Sequence, residues 1–473
     1  MGRFLAGFLS AIGLPEADAG RVRLAERVPL PARLAVDELA ADAVGVLALA
    51  IEAARATPAG RSGSDSPIVL EPLRIAASFR SEQLGSLNGH PPDVWSPLSG
   101  FFPAGDGWVR THANYRWHAE ALAQVLGVST DADRATASRA VAEHAARDLE
   151  AAAFAAGALA VAVRSAEEWS SERGAPAAPV VVHRSGSAIR RGARSASAHD
   201  GTVRDGTEFP LEGKRVLDLT RVIAGPVATR ALAGLGADVL RVNAPDREEI
   251  LWQWLDTGRG KRSTRLDLAS RADRRSFDEL LGRADALVTG ARPGALARFG
   301  LEPEQLAETH PRLVSARVRA WSDGDPWGGR RGFDSLVQAA TGIAVSEGGA
   351  AAGAGIEADE APGRLPAQAL DHSAGALLAA GVVALFAEGR AGSVEVTLEG
   401  IGRLLLEGGE SGESSSARPS DAQKSALEWR PAPAPSAWGP LAIVGGAYLP
   451  LWQREPDPWA GRPWGEDGPE WAE

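Results

Sequence analysis

An α/β fold, built as a doubly wound parallel sheet with a smaller α+β part ahead of it, is the class this sequence predicts. Three observations predict it. From Lys214 onward, short β-rich runs alternate with helix-compatible stretches across short loops, the pattern of a parallel sheet covered by helices. Two polar, Ser- and Gly-rich stretches without apolar periodicity set that region apart from what precedes and follows it. No apolar run reaches the length of a membrane span, although 44% of the 473 residues are apolar.

The first element is a helix. Phe4, Phe8 and Ile12 fall on one helical face with Leu5 and Leu9 beside it, which predicts an amphipathic helix packed on a body. A single preceding cation, Arg3, argues against reading the stretch as a secretory signal. Further helices are expected over Val36 to Ala54 and Asp133 to Ala162, with an aromatic stretch from Gly107 to Trp117 between them and a strand at Val180 to His183. Residues 1–183 make the N-terminal part, and Arg184 to Phe209 reads as an exposed linker. Within 210–400, KRVLDLT (Lys214 to Thr220), the small-residue helix AGPVATRALAGLG and ADVLRV (Ala237 to Val242) form a βαβ unit. STRLDL, a polar helix through Phe277 and Leu281, DALVTG and RLVSARVRA continue the alternation. Residues 401–473 are a polar linker and a Trp- and Pro-rich arm. The irregular spacing of Trp452, Trp459, Trp464 and Trp471 predicts an extended segment lying over a body. LAADAVGVLALAIEAAR (Leu39 to Arg55) looks like a worn copy of LLAAGVVALFAEGR (Leu377 to Arg390), and aligning Gly45 with Gly381 sets Ala35 opposite Asp371. Ala-rich helices resemble one another easily, so chance similarity stays open beside duplication.

Charge and composition narrow the function. With 50 Lys+Arg against 61 Asp+Glu the formal charge is −11, which argues against a nucleic-acid or anionic-membrane partner. The absence of cysteine excludes disulfides, cysteine nucleophiles and cysteine-ligated metals, and sets a cytoplasmic location as the expectation. There is no Gly-x-Ser-x-Gly elbow, Walker loop or His-Glu-x-x-His. The turn Arg221 to Gly234 has Gly225-Pro226 where a dinucleotide fingerprint needs Gly-x-Gly-x-x-Gly, which disfavours an ordinary dehydrogenase. His112 and His118 stand at no metal spacing and read as exposed or core histidines, so no metal site is expected.

Five phrases in fixed order then carry a resemblance. Leu211 to Asp246, Thr257 to Leu268, Ala284 to Leu301, His310 to Gly342 and Leu370 to Leu398 resemble the family III CoA-transferases, the CaiB/BaiF-like superfamily of formyl-CoA transferase and α-methylacyl-CoA racemase. The resemblance implies a split Rossmann-like large domain, a smaller domain and a dimer of interlocked chains. It also implies transfer of coenzyme A from an acyl-CoA to a carboxylic acid, with coenzyme A as substrate and no permanently bound cofactor. The family's catalytic aspartate matches Asp371, which would become first a mixed anhydride and then an aspartyl-CoA thioester. The positions matching coenzyme A contacts are Ile223, Ala224, Leu266, Arg298 and Arg331. Read from its own surroundings, Asp371 directly precedes a helix, where an aspartate serves equally as a nucleophile held ionised by the helix dipole or as a plain N-cap.

Departures from the pattern bear on activity. Thr289-Gly290-Ala291 replaces the family's Glu-Asn-Phe and loses an Asn-Phe pair that contacts the nucleotide, and Val242-Asn243 replaces Val-Glu. Phrases of the small domain, DGWVRTHANYRWHAEALAQVLG and RSAEEW, precede the large domain here, as in a truncated copy fused ahead of a fuller one, which leaves a homodimer open. Two alternatives to a CoA-transferase stand. An α-methylacyl-CoA racemase would need a histidine where Phe333 is found, and His372 is no substitute because adjacent residues on a helix diverge. A degenerate CoA-binding protein is the other.

Overall fold

The computed structural model describes residues 2–55, 66–93, 95–174, 177–189, 209–324, 326–348, 361–411, 430–446 and 463–472. Helix α1 (Leu5–Ile12) buries Leu5, Phe8, Leu9 and Ile12, the stripe its sequence predicts, and stops at Gly13, whose φ of +78° suits a residue without Cβ. Helix α2 (Val36–Arg55) is buried along most of its length.

A small body follows, made of β1 (Gly100–Ala104), β2 (Gly107–Thr111), α3 (Arg116–Leu126), α4 (Ala146–Ala156) and β3 (Ala160–Ala162). Its strands form an antiparallel sheet in the order β1-β2-β3 around a core of Phe102, Leu122 and Leu149. The single helix expected from Asp133 to Ala162 is corrected here. The segment is a helix over Arg134–Ala142, then α4, then β3. Gly157, at φ +73°, ends α4, and Val161 then pairs with Arg110 of β2.

The large sheet contains β4 (Val180–Ala188), β5 (Arg215–Leu219), β6 (Asp238–Asn243), β7 (Arg262–Arg265), β8 (Ala286–Thr289), β9 (Val314–Arg319) and β10 (Arg390–Thr397). Between them run α5 (Ala224–Gly234), α6 (Arg271–Arg283), α7 (Asp334–Thr341) and α8 (Ala369–Glu388). The order is β7-β6-β5-β8-β9-β10-β4, parallel throughout except for β4. The chain steps outward from β5 to β7, returns to the centre at β8 and steps outward again to β10, which is the doubly wound arrangement the alternation predicts.

The N-terminal part is built into this sheet. Strand β4 pairs with β10 through Val182↔Val394 and runs five residues past His183, into the stretch read as linker; residues 190–208 lie outside the described ones. Helix α2 packs along α8 within one apolar core that includes Leu39, Leu47, Leu377 and Val383. Helix α8 is long and apolar enough to cross a membrane by composition, but its apolar window is wholly buried inside the protein. At the C-terminus, Trp464 donates to Asn243 Oδ1 (3.1 Å), and the buried Trp471 donates to the Leu280 carbonyl (3.2 Å). Trp452 and Trp459 lie outside the described residues.

Candidate active site

Strands β5 and β8 are neighbours whose connections leave in opposite directions, so a crevice opens beyond their carboxyl ends. A cavity of about 380 Å³ lies there, walled by the turns after β5, β8 and β9, by Asp371, and by Tyr115, Trp117 and His118 from the small body. A second cavity of about 290 Å³ adjoins it and shares Arg292, Arg330 and Arg331 with the first.

The turn after β5 is strained. Val222, a β-branched residue, sits at φ +71°, a conformation costing on the order of 1–3 kcal/mol that persists only where its surroundings enforce it. The enforcement is a fully buried polar cluster. Asp218 accepts the Thr220 amide (2.8 Å), the Thr229 hydroxyl (2.6 Å) and the Lys261 ammonium (3.1 Å), and Lys261 also donates to the Pro226 carbonyl (2.9 Å). Burial pushes the Lys261 ammonium down to about 8, with the Asp218 carboxylate countering it. Gly225 is required in this turn, because a Cβ there would meet Thr220 Cβ at 2.4 Å.

Asp371 is not an N-cap. Helix α8 begins at Ala369 with Gln368 at its N-cap, so Asp371 lies inside the first turn, three positions later than its local sequence suggests. The amides of that turn are bound instead by Asp334, the first residue of α7, whose Oδ2 accepts the Asp371 N–H at 3.0 Å and which also binds the Leu370 amide. Gln338 donates to the other oxygen of Asp334. The Asp371 carboxyl is thereby released from capping, and among the described residues no hydrogen bond or ion pair holds it. Burial, the Asp334 carboxylate and Glu82 push it well above the usual carboxylate range, and burial pushes Asp334 itself up to about 6. Gly375, one turn further, lets α8 close on the β5 turn: a Cβ there would lie 2.7 Å from the Ala224 carbonyl.

The opposite wall is aromatic and cationic. Phe333 stacks on His112 at 3.7 Å between ring centroids and meets His118 edge-on at 5.9 Å. Both histidines are buried, the core alternative of their sequence reading. Burial holds His112 well below its ordinary value, and burial with Arg331, Arg247 and Arg221 nearby holds His118 at about 4, so both are neutral at pH 7. His372 is turned away, its Nε2 3.1 Å from Glu82 Oε2.

Of the residues singled out from sequence, Asp371, Ala224 and Arg331 line the cavity together. Ile223 is buried at the start of α5 without lining it. Leu266 is packed in a core with Phe277, and Arg298 lies over the Phe299 ring, both outside the lining. Sequence reasoning passed over Asp334, Lys261 and Trp117, and read His118 only as an exposed or core histidine. Lys261 carried a usable signal, as one of three lysines in an arginine-rich chain.

At the switch point of a doubly wound sheet, a buried carboxyl thus shares one cavity wall with several guanidinia, an arrangement chemically able to hold an anion beside an acid. Residues 211–398 match the family model described as CoA-transferase family III. The matched segment makes up less than half of the chain. A probable fatty acyl-CoA transferase of Mycobacterium tuberculosis is 33% identical over 189 residues, covering 37% of this chain and 46% of the relative. A formyl-CoA:oxalate CoA-transferase of Streptomyces coelicolor is 32% identical over 191 residues, covering 38% and 44%. The beta subunit of a succinyl-CoA–L-malate CoA-transferase of Chloroflexus aurantiacus is 36% identical over 161 residues, covering 32% and 39%. This chain thus spans less than half the length of these curated relatives. A crystal structure of a hypothetical protein from Mycobacterium tuberculosis aligns with a TM-score of 0.38 at 31% identity, covering 43% of this chain and 58% of that one.

Proposed function

We propose that this protein transfers coenzyme A from an acyl-CoA thioester to a carboxylic acid, with Asp371 as the covalent nucleophile. The observation that carries the proposal is the Asp371 carboxyl, free of partners among the described residues, on the wall of the switch-point cavity in the first turn of α8. An Asp371 oxygen attacks the thioester carbonyl and the coenzyme A thiolate leaves, giving a mixed anhydride. The thiolate attacks the Asp371 carbonyl of that anhydride, forming an aspartyl-CoA thioester and releasing the first acid as its carboxylate. The acceptor carboxylate then attacks the aspartyl thioester, and the thiolate released attacks the new anhydride at the acceptor carbonyl, regenerating Asp371. The positive end of α8 favours the oxyanions formed at each addition, and the arginines of the cavity suit the phosphates of coenzyme A.

Attack requires ionised Asp371, so turnover rises with pH through a range above that of an ordinary carboxylate. Incubation with acyl-CoAs followed by hydroxylamine should mark the peptide containing Asp371 by mass. Bound coenzyme A with no labelling across a broad acyl-CoA panel would point instead to a degenerate binding protein. A proton-transferring racemase is a second reading, favoured by the neutral His118 on the same cavity wall although Phe333 offers no base. Exchange of the substrate α-hydrogen in deuterated solvent without labelling would establish it.

A further inference from the structure

The transfer chemistry leaves one wall of the cavity without a role. Trp117 lies there with one neighbour stacked on it, Tyr115, at 4.8 Å between centroids and 19° between planes. Tyr115 is fixed in turn by its hydroxyl, which donates to Glu249 Oε1 (2.6 Å) and lies 3.0 Å from Gln253 Oε1. The two rings are therefore a rigid stack rather than a loose aromatic tip. Trp117 is only partly buried, so ring surface remains open beyond the stack.

Guanidinia gather around this stack. Arg247 lies 4.8 Å and Arg221 5.4 Å from the Trp117 ring. Arg247 makes its ion pair with the adjacent, exposed Asp246 at 3.5 Å, a weak contact that a ligand can displace. Arg292 and Arg331 line the same cavity without an ion pair to any described residue, in a chain whose formal charge is −11. Guanidinia left without carboxylates on an acidic protein call for an anionic ligand, and the neighbouring indole calls for a flat one. A purine nucleotide has both properties. In the turn after β8, Gly290 and Ala291 present no ring on which a base could stack, and Gly290 has no close neighbour that would exclude a Cβ.

We propose that Trp117 is the platform on which the adenine ring of coenzyme A stacks, with Arg247 turning to its phosphates, so that the small body rather than the sheet grips the nucleotide. This rests on the reading of the cavity as a coenzyme A site. Calorimetric titration of the full chain with coenzyme A and with adenosine 3′,5′-bisphosphate, beside turnover of an acyl-pantetheine that lacks the nucleotide, separates the two. Trp117→Ala should weaken both nucleotide ligands by roughly ten- to a hundredfold, Trp117→Phe should restore most of the affinity, and acyl-pantetheine turnover should be unchanged in both. Unaltered bisphosphate affinity in a folded Trp117→Ala variant would overturn the proposal. So would equal loss of acyl-pantetheine and acyl-CoA turnover, which would place Trp117 at the acyl end. Wild-type protein that binds the bisphosphate through Trp117 but transfers no coenzyme A would sink the transfer reading and leave the platform standing.

Discussion

Helices α2 and α8 are each twenty residues long and pack on each other in one apolar core, yet only α8 carries a candidate nucleophile. Both approaches are tied down by a carboxylate from the same stretch of chain. Asp334 binds the amide of Asp371, while Glu347 binds the amides of Arg33 and Leu34 at 3.0 and 2.8 Å, just ahead of α2. What differs is the surroundings of the first turn. Asp371 lines the switch-point cavity, whereas Ala35, its counterpart in the sequence alignment, is fully buried. A helix start bound by a distant carboxylate is thus a packing device that serves anywhere in the molecule. A site also needs the carboxyl ends of β5, β8 and β9 beside it, and the N-terminal part contributes only an edge strand to that sheet.

The widest gap between the helices should appear when the acid is removed from one and offered to the other. Asp371→Asn should lower transfer by at least about a thousandfold with the fold intact, because the amide cannot form the anhydride. Ala35→Asp in that background should restore nothing and should destabilise by roughly 2–5 kcal/mol, since it buries a carboxyl without a partner. Recovery of transfer in the double variant would show that α2 retains a site of its own. Next in size is the buried cluster that has no counterpart on α2. Lys261→Met leaves Asp218 buried without its ion-pair partner and should cost roughly 3–5 kcal/mol in urea unfolding. An unchanged urea midpoint would show that the cluster does not hold the Val222 turn.

The two helices also differ in how pH reaches them. Asp42, in the second turn of α2, accepts the amides of Phe4 and Leu5 (2.8 and 3.1 Å), and burial pushes its carboxyl from 3.8 to about 7. A folded-state pKa above the unfolded one means that the folded protein holds the proton more tightly. The resulting stabilisation is complete below about pH 4 and is lost as pH rises through about 7. Asp42→Asn keeps an oxygen for both amides and removes the titration. Between pH 5 and 8 the wild type should therefore lose roughly 2–4 kcal/mol relative to this variant, read from urea midpoints. Asp334 and Asp371 titrate alike in both proteins and cancel from the difference. Parallel stability curves for the two proteins would remove Asp42 as the source.

How much of this was legible depended on the reach of the interactions. The βαβ order could be read because each strand is a short apolar run, as in ADVLRV, and the phrase around Asp371 put it near a helix start, although the helix begins earlier, at Ala369. The segment ending in AAAFAAGALAVAV misled, because alanine supports helix and buried strand alike, and the decision fell to Gly157 and to the pairing of Val161 with Arg110. That Trp117 and His118 line the cavity stayed hidden for a different reason. They reach the cavity through packing against residues more than a hundred positions away, such as Arg221 and Phe333, and no local pattern records that contact. Asp334 was visible as a residue but not as the partner of α8, since its role exists only once Asp371 lies within the helix.

The smallest effect concerns Gly45 and Gly381, the two glycines that the alignment of the two stretches pairs. A Cβ on Gly381 would meet Val394 Cγ1 at 2.6 Å, and Val394 is a stiff β-branched residue buried in β10. A Cβ on Gly45 would meet Val22 Cγ1 at 3.3 Å, and Val22 lies in a short, partly exposed strand that can give way. Alanine improves a helix interior by up to about 1 kcal/mol over glycine, while overpacking costs about 1–3 kcal/mol. Gly381→Ala should therefore destabilise by about 1–2 kcal/mol and Gly45→Ala should be neutral or stabilise by up to about 1 kcal/mol, as urea midpoints would show. Trimming Val394 to alanine should cost less in the Gly381→Ala background than in the wild type, because the new methyl fills the space left behind. Equal effects at both glycines would mean that α2 is held against Val22 as tightly as α8 is held against the sheet, and the contrast between a packing helix and a site-bearing one would then rest on Asp371 alone.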